Sequence, residues 1–412
     1  MKLKEVLTEE LEEISLSASE IASFRKISNV FITSLKSKGL KAFIGGSFAK
    51  GTAIKKKERQ DVDIFVVFDF SKDILKLGEV LGKIKLPGKL KVVHGSRDYF
   101  QVDCGDVLLE VIPVLKNTNP NLAENVTDVS LSHVKYILGE IKKSPSMADE
   151  IRLAKAFCKA QRCYGAESYI HGFSGYSLEI LVIYFKGFVK FLKGIQKKSV
   201  IDPENYFKNS SEVMREINRS KLQGPIVLVD PTHKYRNVCA GLNSETFDEF
   251  VKSANSFLKK PSSKYFELKE IDVLELKRFS NKHDAVFLEL EIKTNRREPN
   301  IAGSKMKKFF DFFVEELGRR KQKVLKKEFN YSGSGLKSKG YLVIEEHKKI
   351  EIRGPSVKLK DAVVSFRKAK GRNAFKKKGY WWFKDKTSVK ETFERVNKFA
   401  KEMDVGVKIQ TN

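Results

Sequence analysis

Asp61 and Asp63 flank a single valine at the head of a run of β-formers, DVDIFVVF. Side chains alternate along a strand, so the two carboxylates share one face while Val62, Ile64 and Val66 point to the other. Two carboxylates in one cleft raise each other's pKa unless a cation neutralises them. Mg²⁺ suits the role: it is hard, prefers oxygen ligands and usually shares its shell with substrate phosphates. Just upstream lie Gly45, Gly46 and Ser47. Glycines let a backbone approach a phosphate closely, and a serine at a helix start caps the helix and touches the same anion. A D-x-D alone is more often a pair of turn-loving aspartates at a strand start. The glycine-serine turn beside it makes the combination read as a nucleoside triphosphate site.

These residues need a scaffold. Residues 3 to 38 carry apolar positions at spacings of mostly three and four, which predicts one or two helices ending near Gly39. KAFIGG, VDIFVVF, LKVVH and LLEVIPVL (108 to 115) read as strands, and together they predict an α/β catalytic domain ending near residue 140. Residues 148 to 193 read as mostly helical, with GFSGYSLEILVIYFKGFVKFLK as a buried second helix. GPIVLVDPTHKYRNV predicts a strand and then a turn at Asp230-Pro231, and residues 245 to 259 a helix. A boundary follows KKPSSK (259 to 264). Beyond it the pattern predicts helix 266 to 279, strand 284 to 293, helix 301 to 318, and strands 322 to 330 and 340 to 346, with NYSGSG as a hairpin loop. That order builds a small sheet with helices on one face.

The totals point to a polyanion. The chain has 412 residues, 79 Lys and Arg against 52 Asp and Glu, and a net charge of +27. Such an excess implies a nucleic acid partner. No single basic amphipathic helix concentrates the charge, so a membrane surface fits less well. Four cysteines without a C-x-x-C pair, and six histidines without ligand spacing, argue against structural zinc and a disulfide framework. The reduced thiols suit the cytoplasm. The charged N-terminal stretch lacks a signal peptide's apolar core, and ILVIYF is too short to span a bilayer.

Gly46-Ser47, thirteen intervening residues and Asp61-Val62-Asp63 resemble the polymerase-β-type nucleotidyltransferase signature. YGAESYIHGFSGYSLEILVIYF (164 to 185), VDPTHKYRNVCAGL (229 to 242) and GYWWFKD (379 to 385) resemble the archaeal, class I CCA-adding enzymes. The resemblance implies an α+β multidomain chain. Its parts would be a polymerase-β-like catalytic head (1–142), a mostly helical central nucleotide-binding domain (143–260), a ferredoxin-like, RNA-binding α+β body (261–350), and a basic tail with a C-terminal helix (351–412). It further implies template-independent addition of C, C and A to the 3′ end of tRNA from CTP and ATP, with pyrophosphate released. The superfamily uses a third carboxylate on a neighbouring strand, and Glu110 in LLEVIPVL is the candidate; without the resemblance it reads as an exposed strand charge. Asp61, Asp63 and Glu110 would then hold two Mg²⁺ ions.

The resemblance also implies roles elsewhere. Gly46, Ser47 and Lys50 would bind the β- and γ-phosphates, and Lys155 and Tyr164 would grip the triphosphate from the second domain. Ser130 and His133 align with further triphosphate contacts, and Arg236 with the family's base-reading arginine. A planar guanidinium can serve acceptors on both cytosine and adenine, while it cannot satisfy the N3–H of uracil. Each has a plainer reading: Lys155 on a solvated helix face, Tyr164 packing a helix end, His133 structural, Arg236 paired with Asp230. The chain departs from the family at Glu110 (Asp usual), Lys50 (Arg usual), Ser130 (Thr usual) and in a shorter C-terminus.

Residues 351 to 390 hold 13 Lys and Arg against 3 acids, interleaved with Phe366, Phe375, Tyr380, Trp381, Trp382 and Phe383. Arg353, Lys368, Arg372, Lys376 and Lys377 are the expected contacts to the tRNA acceptor stem and TΨC arm, because an A-form duplex is read through its phosphates and shape. Adjacent aromatics on a strand face opposite ways, so at least one of the two tryptophans is expected in a core. A homodimer is a candidate assembly. The competing functions are a poly(A) polymerase or partial CC- or A-adding enzyme, and a non-catalytic RNA-binding protein on a decayed transferase fold.

Overall fold

The computed structural model describes residues 2–94, 97–116, 126–347 and 349–411. The chain divides into two compact units, 1–269 and 270–412. The division falls ten residues beyond the start of KKPSSK and separates two parts where the sequence suggests four.

The first unit opens with helices α1 (Leu3–Ile14) and α2 (Ala18–Lys36). Ser17 starts α2 with a reciprocal cap: its hydroxyl accepts from Glu20 N–H while its own N–H donates to the Glu20 carboxylate. Then come β1 (Lys41–Ile44), the short α3 (Gly46–Lys50), β2 (Gln60–Phe68), α4 (Lys76–Lys83), β3 (Lys89–Val93), β4 (Tyr99–Asp103) and β5 (Val107–Leu115). The five strands form one mixed sheet in the order β1-β2-β5-β4-β3. β2 and β5 run parallel at its centre, where Val62, Ile64, Val66, Val107, Leu109 and Val111 face one core with Phe31 and Leu35 of α2. β4 was not legible in the sequence; it pairs antiparallel with β5 and completes the sheet.

Helices dominate the rest of this unit: α5 (Ser130–Lys143), α6 (Met147–Ala160), α7 (Gly175–Phe185) and α8 (Phe188–Gly194). The single long helix expected through residue 193 is two. Lys186 takes left-handed backbone and Gly187 has φ 128°, so the chain breaks there, and Phe188 N–H restarts it on the Glu150 carboxylate at 2.6 Å. β6 (Val200–Ile201), α9 (Ser210–Glu216), β7 (Val227–Asp230), β8 (His233–Asn237) and α10 (Ser244–Lys259) follow. Asp230-Pro231 begins the turn between β7 and β8.

The second unit holds α11 (Val273–Lys282), β9 (Val286–Thr294), α12 (Pro299–Arg319), β10 (Lys323–Asn330) and β11 (Lys337–Glu345). Next come β12 (Lys349–Ser356), α13 (Lys360–Lys370), β13 (Ala374–Lys377), β14 (Tyr380–Lys386), α14 (Val389–Asn397) and β15 (Val405–Thr411). The first helix starts seven residues later than the periodicity suggests, where Asp272 caps it by accepting from Glu275 N–H. The expected tail is not a tail. β12, β14 and β13 make a three-stranded antiparallel sheet backed by α13. The helix expected in this segment is α14, and β15 follows it, pairing with β9 to complete the sheet β10-β11-β9-β15. α12 and α14 cover one face of that sheet and α11 the other.

Candidate active site

The parallel register of β2 and β5 sets Asp63 directly beside Glu110 and leaves Asp61 one pleat earlier on the same face. Neighbouring strands lie about 4.8 Å apart. One residue of slip would turn Glu110 into the core and a valine or leucine into the cleft. From the next strand, Gln101 stands opposite Glu110 and donates its amide N–H to the carboxylate at 2.9 Å. That bond holds the longer glutamate side chain at the sheet surface.

The carboxylates feel each other. Burial pushes the Asp63 carboxyl up; Lys50 opposes the rise and Asp61 adds to it. Burial, then Asp63, pushes Glu110 up to about 7. Tyr99, on β4, is pushed up to about 12 by burial and by Glu110, Asp61 and Asp63 together, so its phenol stays neutral beside them. Lys56 pairs with Asp61. Among the described residues no three acidic, histidine or cysteine side chains are drawn together as a closed metal-binding set. Asp61 is engaged by Lys56 and Glu110 by Gln101. Three carboxylates on one face, two of them with raised pKa, are nevertheless a donor set suited to a hard divalent cation.

The double glycine has a packing cause. Gly46 has φ +59°, and a Cβ there would lie 1.6 Å from Asp63 Oδ2. A Cβ on Gly45 would lie 2.4 Å from the Phe65 ring, and Gly45 N–H donates to the Asp63 carbonyl at 2.8 Å. The turn therefore packs on the carboxylate strand itself. It leads into α3, which carries Ser47, half-buried, and Lys50, buried.

Lys155 is not on a solvated face. It is buried in α6 and donates to Glu179 Oε1 at 2.8 Å, Thr52 Oγ1 at 3.0 Å and the Thr52 carbonyl at 3.2 Å. Burial, with Lys50 adding, lowers its pKa, and Glu179 opposes the fall. Lys50 donates to Glu179 Oε2 at 2.6 Å. Tyr164 lies against Gly175, where a Cβ would stand 2.9 Å from its hydroxyl, and burial followed by Glu179 raises its pKa. Glu179 and Thr52 were missed in the sequence. The signal was present: Glu179 is the lone charge in SLEILVIYF, where an unpaired carboxylate would be very costly.

A second cluster surrounds Asp230, which is fully buried. Arg236 Nη1 donates to its Oδ2 at 2.7 Å, so the pairing weighed for this arginine does form. His133 Nε2 lies 3.1 Å from the same oxygen and 3.3 Å from Arg236 Nη1. Tyr176 and Thr232 donate to Oδ1 at 3.0 and 2.9 Å, and the His133 ring stacks on Tyr176 at 3.8 Å. Burial raises the Asp230 pKa, but His133 and Arg236 outweigh it and hold the carboxyl well below the usual range. Burial pulls His133 down, against the pull of Asp230. Lys50 adds a smaller downward push on His133, which links this cluster electrostatically to the one around Glu179. Ser130 opens α5, one turn before His133.

In the second unit the five basic candidates are exposed but divided. Arg353 lies over the Tyr380 ring and Lys377 over Trp382, on the face of the small sheet away from α13. Lys376 lies over Trp381 on the α13 face, the side that also carries Lys368. Neither tryptophan is buried; Phe383, packed on Phe366 of α13, takes the core position expected of one of them.

Residues 149–267 match a family model described as tRNA nucleotidyltransferase, second domain. The chain is similar to the CCA-adding enzyme of Nanoarchaeum equitans, at 40% identity over 52% of this chain and 54% of that protein. It is also similar to those of Pyrococcus abyssi, at 33% over 54% and 50%, and Archaeoglobus fulgidus, at 26% over 77% and 71%. The chain thus spans about half the length of the first of these relatives. Among solved structures, a cytoplasmic RNA terminal U-transferase matches with TM-score 0.51 and 14% identity, over 65% of this chain and 99% of that one. At that identity the likeness is one of fold alone. Among the described residues no helix is long and apolar enough to cross a membrane.

Proposed function

We propose that this chain, a relative of the archaeal CCA-adding enzymes, itself adds C, C and A to the 3′ end of tRNA from CTP and ATP in the cytoplasm. The observation that carries the reading is the register that sets Asp63 beside Glu110, with Asp61 on the same face and two buried lysines behind. Asp61, Asp63 and Glu110 would hold two Mg²⁺ ions. When bound, such ions lower the pKa of an attacking 3′-hydroxyl and stabilise departing pyrophosphate. The relatives carry the substrate assignment: CCA-adding enzymes at 40% and 33% identity.

The chain's own residues divide the work. Burial and mutual repulsion raise the pKa of Asp63 and Glu110, so a divalent cation arriving on this face would relieve a repulsion that the fold itself leaves in place. Lys56 must leave Asp61 for that carboxylate to serve a cation. Gly46, Ser47 and Lys50 line the phosphate side from one direction, and Lys155 and Tyr164 from the other. Arg236 has Nη1 on Asp230 and His133; among the described residues its other donors make no hydrogen bond and would be available to the base. His133 lies 3.3 Å from Arg236 Nη1, and Ser130 opens the same helix, α5. Arg353, Lys368, Arg372, Lys376 and Lys377 would contact phosphates of the acceptor stem and TΨC arm.

The test is direct. The purified chain is incubated with Mg²⁺, CTP, ATP and a tRNA lacking its last three residues, and the products are sized and sequenced. Extension by three nucleotides ending in CCA is expected. Homopolymer tails from ATP alone, or UTP incorporated as readily as CTP, would assign the chain to another tailing reaction.

A further inference from the structure

Glu179 sits in the middle of α7, inside the most apolar stretch of the chain, and is wholly buried. Its two oxygens are divided among three elements. Oε2 takes Lys50 from α3 at 2.6 Å; Oε1 takes Lys155 from α6 at 2.8 Å and the Thr52 hydroxyl, from the loop after α3, at 2.7 Å. A buried ion costs several kcal/mol unless well paired, so a carboxylate here persists only because two ammonium groups meet it.

Two counts follow from this geometry. Two lysines against one glutamate leave one net positive charge in a buried cluster. An ammonium has three protons. Those of Lys155 have three acceptors: Glu179 Oε1, Thr52 Oγ1 and the Thr52 carbonyl. Lys50 has one hydrogen bond among the described residues, to Glu179 Oε2, and keeps two protons for a ligand. The two lysines are therefore not equivalent.

Taking the nucleotide-transfer reading as premise, we propose that Glu179 is the positioning residue of the triphosphate site: it holds Lys155 as a saturated brace and aims the Lys50 ammonium at the phosphates. Glu179 does not touch the nucleotide. It acts through Lys50, whose side chain would otherwise be repelled by Lys155 and free to turn away.

The sign of one substitution separates this role from that of a passive counter-ion. If Glu179 merely cancelled charge, removing its charge would make the cluster more positive and tighten anion binding. If it positions the lysines, Glu179→Gln weakens anion binding, because a glutamine offers an acceptor at one end and an N–H donor at the other. One lysine then faces a donor in either orientation of the amide.

Calorimetry on the full chain with CTP, and separately with inorganic tripolyphosphate, reads the sign. For Glu179→Gln we expect both to bind roughly tenfold more weakly, the loss of one charge-assisted hydrogen bond. The KM for CTP should rise more than kcat falls, with tRNA affinity unchanged. Glu179→Asp keeps the charge and should recover part of the loss. Tighter or unchanged tripolyphosphate binding in Glu179→Gln overturns the proposal, as does an aspartate variant no better than the glutamine one. Should the glutamine variant fail to fold, Glu179→Asp decides: CTP binding a few-fold weaker than in the unaltered chain supports positioning, and equal binding overturns it. An unaltered chain that binds neither CTP nor ATP sinks the transferase premise and the proposal with it. One that extends tRNA normally while the variants bind like the parent sinks the Glu179 role alone.

Discussion

A single absent methyl group holds the carboxylate site open. At Gly46 a Cβ would fall 1.6 Å from Asp63 Oδ2, on backbone already left-handed. Gly51, five residues on, is also left-handed with φ +67°, but nothing lies within 4 Å of its Cβ direction. The two therefore separate strain from site geometry. Gly51→Ala should cost about 1 kcal/mol of stability, the left-handed penalty, and leave activity at permissive temperature near normal. Gly46→Ala carries the same penalty and must also displace Asp63; on the order of a hundredfold loss of nucleotide addition is expected, with tRNA affinity retained. Equal activities in the two variants would show that the glycine turn does not set the position of Asp63. At Asp63 itself, Asp63→Ala should leave tRNA binding intact and reduce turnover by at least about a thousandfold; residual turnover within tenfold of the parent would remove Asp63 from the chemistry.

Among the elements, α1 carries a pH-sensitive flaw. Glu10 is buried on it, and burial, then Glu13 and Glu267, pushes its carboxyl from 4.5 up to about 7. The folded protein holds a proton there that the unfolded chain releases. Its stabilising effect is complete below about pH 4.5 and is lost as pH rises through about 7. Glu10→Gln cannot ionise, so the variant should be more stable than the parent at pH 8, by roughly 1 to 2 kcal/mol after solvent screening. At pH 4.5 the difference should vanish. Urea unfolding at both values checks it; an equal difference at the two pH values would mean that Glu10 does not titrate as described. The amphipathic spacing that makes α1 legible in the sequence says nothing of this, since Glu10 reads there as one more acid in TEELEE. The break between α7 and α8 was equally hidden: Gly187 in a strongly apolar run does not announce a helix end.

For the whole molecule, the +27 charge should make the proposed tRNA binding a function of salt. Lys368 and Arg372 are exposed and, among the described residues, pair with no acidic side chain, so replacing both with alanine should lower the log–log salt slope of tRNA binding by roughly two. A slope unchanged by the double substitution would place the RNA elsewhere on the second unit. The sequence alone determined the chemistry on offer. It specified the paired aspartates and the glycine-serine turn, because a strand's alternation and a glycine's freedom are local properties. It specified the basic, aromatic-rich C-terminal third, because charge and composition need no partner to be counted. Tertiary structure decided everything that depends on contact between distant segments. Glu110 joins the site because β5 lies parallel to β2 in one register, and Gln101 secures it from a strand with weak local signal. Lys155 turned inward because Glu179 waits 24 residues later to pair with it. The final strand closes a sheet begun more than a hundred residues earlier. Pairing energy and burial are shared between residues far apart in the chain, and neither partner carries the result in its own neighbourhood of the sequence.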